Sequence, residues 1–498
     1  MKFRNISNSI SSSLKCAAAT VCLLFLPIHA YTQSASAERT ESSRYVELTG
    51  GERLLLDESE IERMERNNQF DIHNLRERRE FITDQSETFL LIPDGLSGDF
   101  DVASVPPIVH FQILPDLHPE YFSEEAYQAG WANWAKVTRS EDNRFFVPAS
   151  DHLGRGAQIN LYEYRPDDHV VEKVLDVSET LGWSKEMYTD GKIHGKTGIM
   201  ADGTMWAATH RGPMPTDEWW ESGYRGSWLL SYNIHTGESK NWGVPLVGNE
   251  LPVHTLDPDR GIFAATGGLT ATILLWDVRK KKTRFAGYPP NGWVWHPRAM
   301  FLDPETGIFW GMDFSEHPYR FISLDPELNR FRRYEVTVPA NPVTGEQGIL
   351  RGITERPAMD GWYYGSTRSG ALFRFRPDHD SGPEVESVGV TWDEGRDVVQ
   401  LALGPEGRYI YYQPRGDHAP LVQYDVKTGR KKAIAFLQDY YFETYGYWPG
   451  SAVYGLEISN DGSFVVIAEN GTFEGRGKSF GHPALTIVTI PAEERPLD

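Results

Sequence analysis

A chain of 498 residues that is 40% hydrophobic, with 49 Lys and Arg against 70 Asp and Glu, has ample length for a packed core; its net charge of -21, with no compensating basic domain, excludes nucleic acid as a partner. The 2 cysteines, Cys16 and Cys22, both fall within the first 37 residues. Disulfides, thiol catalysis and Cys-ligated zinc are therefore excluded from the rest of the chain.

Residues 1–37 read as a secretory signal peptide. Lys2, Arg4 and Lys15 precede the apolar run CAAATVCLLFLPI, which is short for a membrane span, and small residues follow, ending in Ala35, Ser36 and Ala37. Cleavage after Ala30 or Ala37 fits. Cys16 precedes the apolar run and Cys22 sits inside it, which argues against a lipoprotein. No later apolar run has membrane length, so the expectation is a secreted or periplasmic monomer, free of the membrane once the signal is removed.

Residues 38–130 form a charged N-terminal extension. The polar stretches ESEIERMERNNQF and NLRERREF suggest a partly helical segment, and FLLIP (89–93) and IVHFQIL (108–114) suggest strands. The extension is expected to pack on the side of the main fold or to close its ring. GWANWAKV (130–137) leads into that fold.

From 131 to 498 one pattern recurs. Turns written SEDNR (140–144), ADGT (201–204), DPDRG (257–261), DPETG (303–307), MDG (359–361), GPEGR (404–408) and NDG (460–462) each split two β-rich runs, and an apolar-aromatic run follows. The markers Tyr164, Tyr232, Trp276, Leu324, Phe375, Tyr424 and Val488 lie 44 to 68 residues apart, the period of four-stranded blades with two enlarged loops. The prediction is an all-β, seven-bladed β-propeller in one domain. A stacked pair of β-sandwiches is the competing architecture.

In such a blade the inner and second strands join on one face, and the second and third strands join on the other, where ligand loops gather. This sorts the histidines. His152, His194, His210, His254, His296, His317, His418 and His482 fall on the ligand face, and His169, His235 and His379 on the opposite one. Arg155, Arg211, Arg298, Arg351, Arg368 and Arg415 also fall on the ligand face. Gathering cations at one mouth of so acidic a protein points to a bound anion. Against this, roughly half of such arginines would be expected to pair with neighbouring acids.

The sharpest local pattern is DGKIHGKTGIMADGTMWAATHRG (190–212), in which antiparallel pairing brings His194 and His210 to the same end of blade 2, beside Arg211. The loop that follows carries Trp219, Trp220 and Tyr224, flat rings suited to stacking on sugars or to packing the loop itself. His254 opens blade 3, and His296 with Arg298 opens blade 4. Two further strings carry no chemistry. GTFEGRGKS (471–479) has the wrong spacing for a phosphate loop, and GKSFG (477–481) is followed by a strand where a nucleophile elbow needs a helix.

The segments GKIHGKTGIMADGTMWAATHRG, FVPASDHLGRG and YIYYQPRGDHAPLVQYDVKTGRKKAIAFL resemble the exported seven-bladed polysaccharide lyases, most closely the ulvan lyases of families 24 and 25 and more distantly the oligogalacturonate lyases. The resemblance implies β-elimination on a sulfated, uronate-containing algal polymer. It carries over His194 and His210 as catalytic residues, with Tyr224 a further candidate. His152, Arg155, Arg211, Trp219, Trp220, His254, His296 and Arg298 would bind substrate. The oligogalacturonate lyases bring in one divalent cation (Ca, Mn or Zn).

β-Elimination needs a group to neutralise the uronate carboxylate, a base for the C5 proton and an acid for the leaving oxygen; Arg, His and Tyr supply these. A glycoside hydrolase would need two facing carboxylates, whereas Asp151, Asp217, Glu218, Asp313 and Glu316 are scattered among loops. Two alternatives remain open at the level of sequence. One is a non-catalytic propeller that binds an anionic glycan, and the other a metal-dependent lactonase or hydrolase using the histidine cluster.

Overall fold

Each of the seven turns opens a separate antiparallel sheet in the computed structural model, which describes residues 45–47, 53–55, 75, 78–96, 98–117 and 131–495. The signal peptide and ESEIERMERNNQF lie outside these residues; of NLRERREF (74–81), residues 75 and 78–81 are described, and 78–81 are not helical. The chain divides into two compact units, Met1–Glu62 and Arg63–Asp498. The described residues of the first form an antiparallel pair, Tyr45–Glu47 with Arg53–Leu55.

The second unit is a seven-bladed β-propeller. Blade 1 runs outward through Thr138–Arg139, Phe145–Ser150, Ile159–Arg165 and Val170–Asp176, and the other blades repeat that order. The second strand of each blade is covered on both faces by neighbouring blades, so it reads as a continuous apolar run. Phe145–Ser150, Ile262–Thr266, Ile308–Asp313 and Tyr363–Thr367 are buried throughout. Outermost strands such as Lys282–Gly287 and Glu384–Val390 are largely exposed and polar.

All seven turns join an inner strand to the second strand, which puts them on one face. Contacts between neighbouring turns follow from this. Asn460 N–H donates to Asn143 Oδ1 at 2.9 Å, Arg260 donates to the Pro304 and Glu305 carbonyls at 3.2 and 2.9 Å, and Met359 N–H donates to the Gly407 carbonyl at 2.9 Å.

The ring closes with residues from both ends of the chain. Blade 7 takes Gly455–Ile458, Phe464–Gly471 and His482–Thr489 from the C-terminal end and Val109–Ile113 and Ile82–Asp84 from the extension. Asp101–Val102 adds a parallel strand to the edge of blade 6. The strand expected at 108–114 is present, but FLLIP is not a strand. Glu87–Leu90 is a 3-10 turn, because the Ser86 side chain caps it by accepting the Thr88 N–H and Glu87 sits favourably in its first turn.

Candidate functional site

Blade 2 builds the centre of the site through an interruption. Its inner strand forms as Lys192–Ile193, breaks, and resumes as Gly198–Ile199. Lys192 pairs with His210 and Ile193 with Thr209, so His194 projects beside His210, their rings edge to face at 5.4 Å. Within the break, Gly195 lets the backbone approach blade 3. A Cβ there would fall 2.4 Å from His254 Nδ1, and only glycine avoids that collision. Three imidazoles from two blades are thereby gathered, with His210 1%, His254 2% and His194 7% exposed.

Cations surround them. Arg298 donates from Nη1 to His194 Nε2 at 3.0 Å, which leaves the proton of the neutral ring on Nδ1. Lys192 Nζ lies 2.5 Å from His152 Nε2 and 4.8 Å from the centre of the Trp134 ring. Arg211 pairs with buried Glu250, whose Oε2 is also 3.5 Å from His210 Nδ1. Arg351 reaches both oxygens of Asp397 at 2.8 and 3.0 Å, and Arg415 reaches the same carboxylate at 3.0 Å. Tyr454 completes this wall: its ring centre is 6.0 Å from that of His194 and 4.9 Å from the Arg415 guanidinium.

Burial among like charges sets the protonation states. Burial first, then Arg298, Lys192 and Arg351, holds His194 well below the usual imidazole range. Burial and Lys192 do the same to His210. Burial pushes His254 down to about 3, and burial with neighbouring cations brings His152 and His296 down to about 3 as well. The Lys192 ammonium is pushed down to about 7 by burial and by Arg298 and Arg211. At neutral pH the site therefore combines neutral imidazoles with fixed guanidinium charge.

The other expected residues are placed as follows. His152 is half-buried, faces Trp134 at 4.5 Å and belongs to the same mouth. His296 packs on Phe314, and its Nδ1 accepts the Arg298 N–H at 3.1 Å. Arg155 is exposed and pairs with Glu186 at 2.9 Å. Trp219 is buried against Tyr188, with ring centres 5.1 Å apart, and half-buried Trp220 lies 5.0 Å from Tyr224. Tyr224 is also buried and donates to Asp190 Oδ1 at 2.6 Å; burial and that carboxylate hold its hydroxyl proton far above the ordinary phenol range. The loop thus packs its own aromatic rings. On the opposite face His235 bonds Arg144 and His379 bonds Ser323 and Arg330.

Lys192, Trp134, Glu250, Asp397 and Tyr454 belong to the wall without having been singled out from the sequence. For Lys192 a signal existed, since pairing His194 and His210 on one hairpin also sets Lys192 directly opposite His210. Tyr454 stands in the connection between the helix Gln438–Tyr445 and the inner strand of blade 7, where no periodicity marks it.

The donor set is poorly arranged for a divalent cation. Arg298 already occupies His194 Nε2 and Lys192 lies against His152 Nε2, so two of the ring nitrogens face cations, while those of His210 and His254 have no hydrogen-bond partner among the described residues. Among the described residues no group of three or more His, Cys, Asp and Glu is arranged to hold a metal ion.

Below the histidines a cavity of about 510 Å³ follows the ring axis, lined by His194, His254, Arg298 and Arg351 and, further down, Lys136 and Lys196. Fold and site together define a seven-bladed propeller with a cationic, histidine-lined mouth above an axial cavity. No protein-family model matches the chain, and no curated protein matches it in sequence. Among solved structures it is similar to the hydrazine synthase of Kuenenia stuttgartiensis, at 14% identity and a TM-score of 0.44 over 68% of this chain and 94% of that one. It is also similar to the Cps50 (Swd1) β-propeller domain of Myceliophteria thermophila, at 9% identity and a TM-score of 0.46 over 72% of this chain and 96% of that one. Likeness at this level concerns the fold alone.

Proposed function

We propose that the protein is an exported polysaccharide lyase that cleaves a sulfated, uronate-containing polymer of the ulvan type by β-elimination. The observation that carries this reading is the Arg298 to His194 hydrogen bond of 3.0 Å inside a mouth where burial keeps the imidazole neutral. A uronate carboxylate entering the mouth would draw Arg298 onto itself, which both neutralises the carboxylate and frees the Nε2 lone pair. His194 then takes the C5 proton, the C4–C5 double bond forms, and the C4–O bond breaks. Tyr454, whose ring centre lies 6.0 Å from that of His194, would give its hydroxyl proton to the departing oxygen.

A second reading, a non-catalytic propeller that binds an anionic glycan, draws support from the burial of His210 and His254, which limits access to those rings. One experiment separates the two. Purified protein is incubated with ulvan, pectate, alginate and heparan-type glycans while absorbance from unsaturated uronyl ends is followed. New absorbance with a uronate polymer is the result expected of the lyase. Binding of ulvan in a titration without any new absorbance would replace it with the second reading.

A further inference from the structure

The axial cavity continues past the histidines between the inner strands to the turn face, where Asp142, His235 and Asp259 line it. Nearer the histidines, a pair of cations faces the cavity with no carboxylate at ion-pairing distance among the described residues. Lys136, on the segment that enters blade 1, makes no hydrogen bond or ion pair there. Arg298 makes its one side-chain hydrogen bond to a neutral imidazole. The nearby acids are already engaged. Lys196 holds Glu355 and also Glu457 at 3.4 Å, and Gln400 donates to the same Glu457 oxygen at 3.2 Å. Asp397, which meets Arg351, is shared with Arg415.

This leaves like charges crowded around an open volume. Burial and the charges of Lys196 and Arg351, partly offset by Glu355 and Glu457, push the Lys136 ammonium down to about 8, and burial with Arg351 lowers Arg298 from its usual range. An anion between them would relieve both. The cations come from three places on the ring, the entry to blade 1 and the inner strands of blades 4 and 5, so a ligand that meets them all must present acceptors in several directions. A tetrahedral oxyanion does so; a planar carboxylate presents its acceptors along one edge.

We propose that the axial cavity binds a small tetrahedral oxyanion, inorganic sulfate or phosphate, between Lys136 and Arg298 with Arg351 behind them. The site shares Arg298 with the mouth above it, but its test reads anion binding and needs no turnover. Its test is calorimetric titration of the full protein with sodium sulfate and with sodium phosphate, each against sodium chloride at matched ionic strength. One equivalent should bind to the wild type and to Arg284→Ala, an outer-strand control outside the cavity. Lys136→Met should weaken binding at least ~10-fold, and Lys136→Arg, which keeps the charge, should stay close to wild type. Crystals soaked in selenate should give anomalous density between Lys136 and Arg298. Binding of one ion and not the other names the ligand. The proposal is overturned if neither ion binds, if Lys136→Met binds as tightly as wild type, or if the selenate density lies only outside the cavity.

Discussion

On the proposed lyase reading, Arg298 would tie the state of His194 to the presence of substrate. While its guanidinium donates to Nε2 the imidazole cannot act as a base, and when a carboxylate claims the guanidinium the lone pair is released. His194→Ala should therefore lower the rate of unsaturated product formation by at least ~10²-fold, with the melting temperature close to wild type. A variant that keeps its rate would remove His194 from the mechanism. Lys192 adds a pH dependence to binding. Its charge, held at about 7, is present below that pH and lost above it, so KM for a polyanion should rise as pH passes through 7. Lys192→Arg, which stays charged, should flatten that rise; an unchanged profile would assign it to other groups. Tyr224 is expected to behave differently from both. It shares Asp190 with Thr209, so Tyr224→Phe should cost ~1–3 kcal/mol in urea denaturation and leave the elimination rate near wild type. A large rate loss with unchanged stability would instead place Tyr224 among the reacting groups.

At the level of elements, stability depends on joining the two ends of the chain in blade 7. Phe111 sits in the closing strand opposite Thr486, is 1% exposed, and packs against Tyr441 and Tyr447. Phe111→Ala should destabilise the second unit by ~3–5 kcal/mol in urea denaturation, and a loss below ~1 kcal/mol would mean that closure contributes little. The blades were legible in the sequence because each turn must reverse two buried strands within a few residues, and Asp, Gly, Asn and Pro write that geometry locally. The pairing of His194 with His210 was legible for a related reason, since one hairpin fixes both. What the pattern could not convey is non-local. The break after Ile193 exists because Gly195 is drawn against His254 of the next blade, and Tyr454 reaches the mouth from the far end of the chain. FLLIP shows the converse error. Its apolar run resembles a strand, but the Ser86 cap turns it into a 3-10 helix that buries Phe89.

Across the whole molecule, the buried histidines impose an acid limit on stability. His152, His194, His210, His254 and His296 all have folded-state values below the ~6.5 at which the unfolded chain takes up protons, so between that pH and about 3 the unfolded state binds more protons and stability falls as pH falls. Buried carboxyls act in the opposite sense. Burial raises Asp151 to about 7 and Glu469 to about 8, so the folded state keeps protons that the unfolded chain releases near ~4, and their contribution is lost as pH rises to 7 and 8. Above neutrality, Lys192 and Lys136 favour the folded state progressively, because the unfolded chain still holds protons that the folded one has shed near 7 and 8. Burial raises Asp190, Glu250 and Glu457 in the same sense, but it also lowers His110, His169 and His379, so the histidines decide the acid side, while carboxyls and lysines offset one another between 7 and 8. The melting temperature should therefore fall between pH 6.5 and pH 4 and change little between pH 7 and pH 8. Scanning calorimetry across that range tests the balance. Glu469→Gln isolates one opposing group: without the raised carboxyl, the variant should gain stability relative to wild type as pH rises from 5 to 8, and a difference that stays constant over that interval would show that Glu469 does not titrate there.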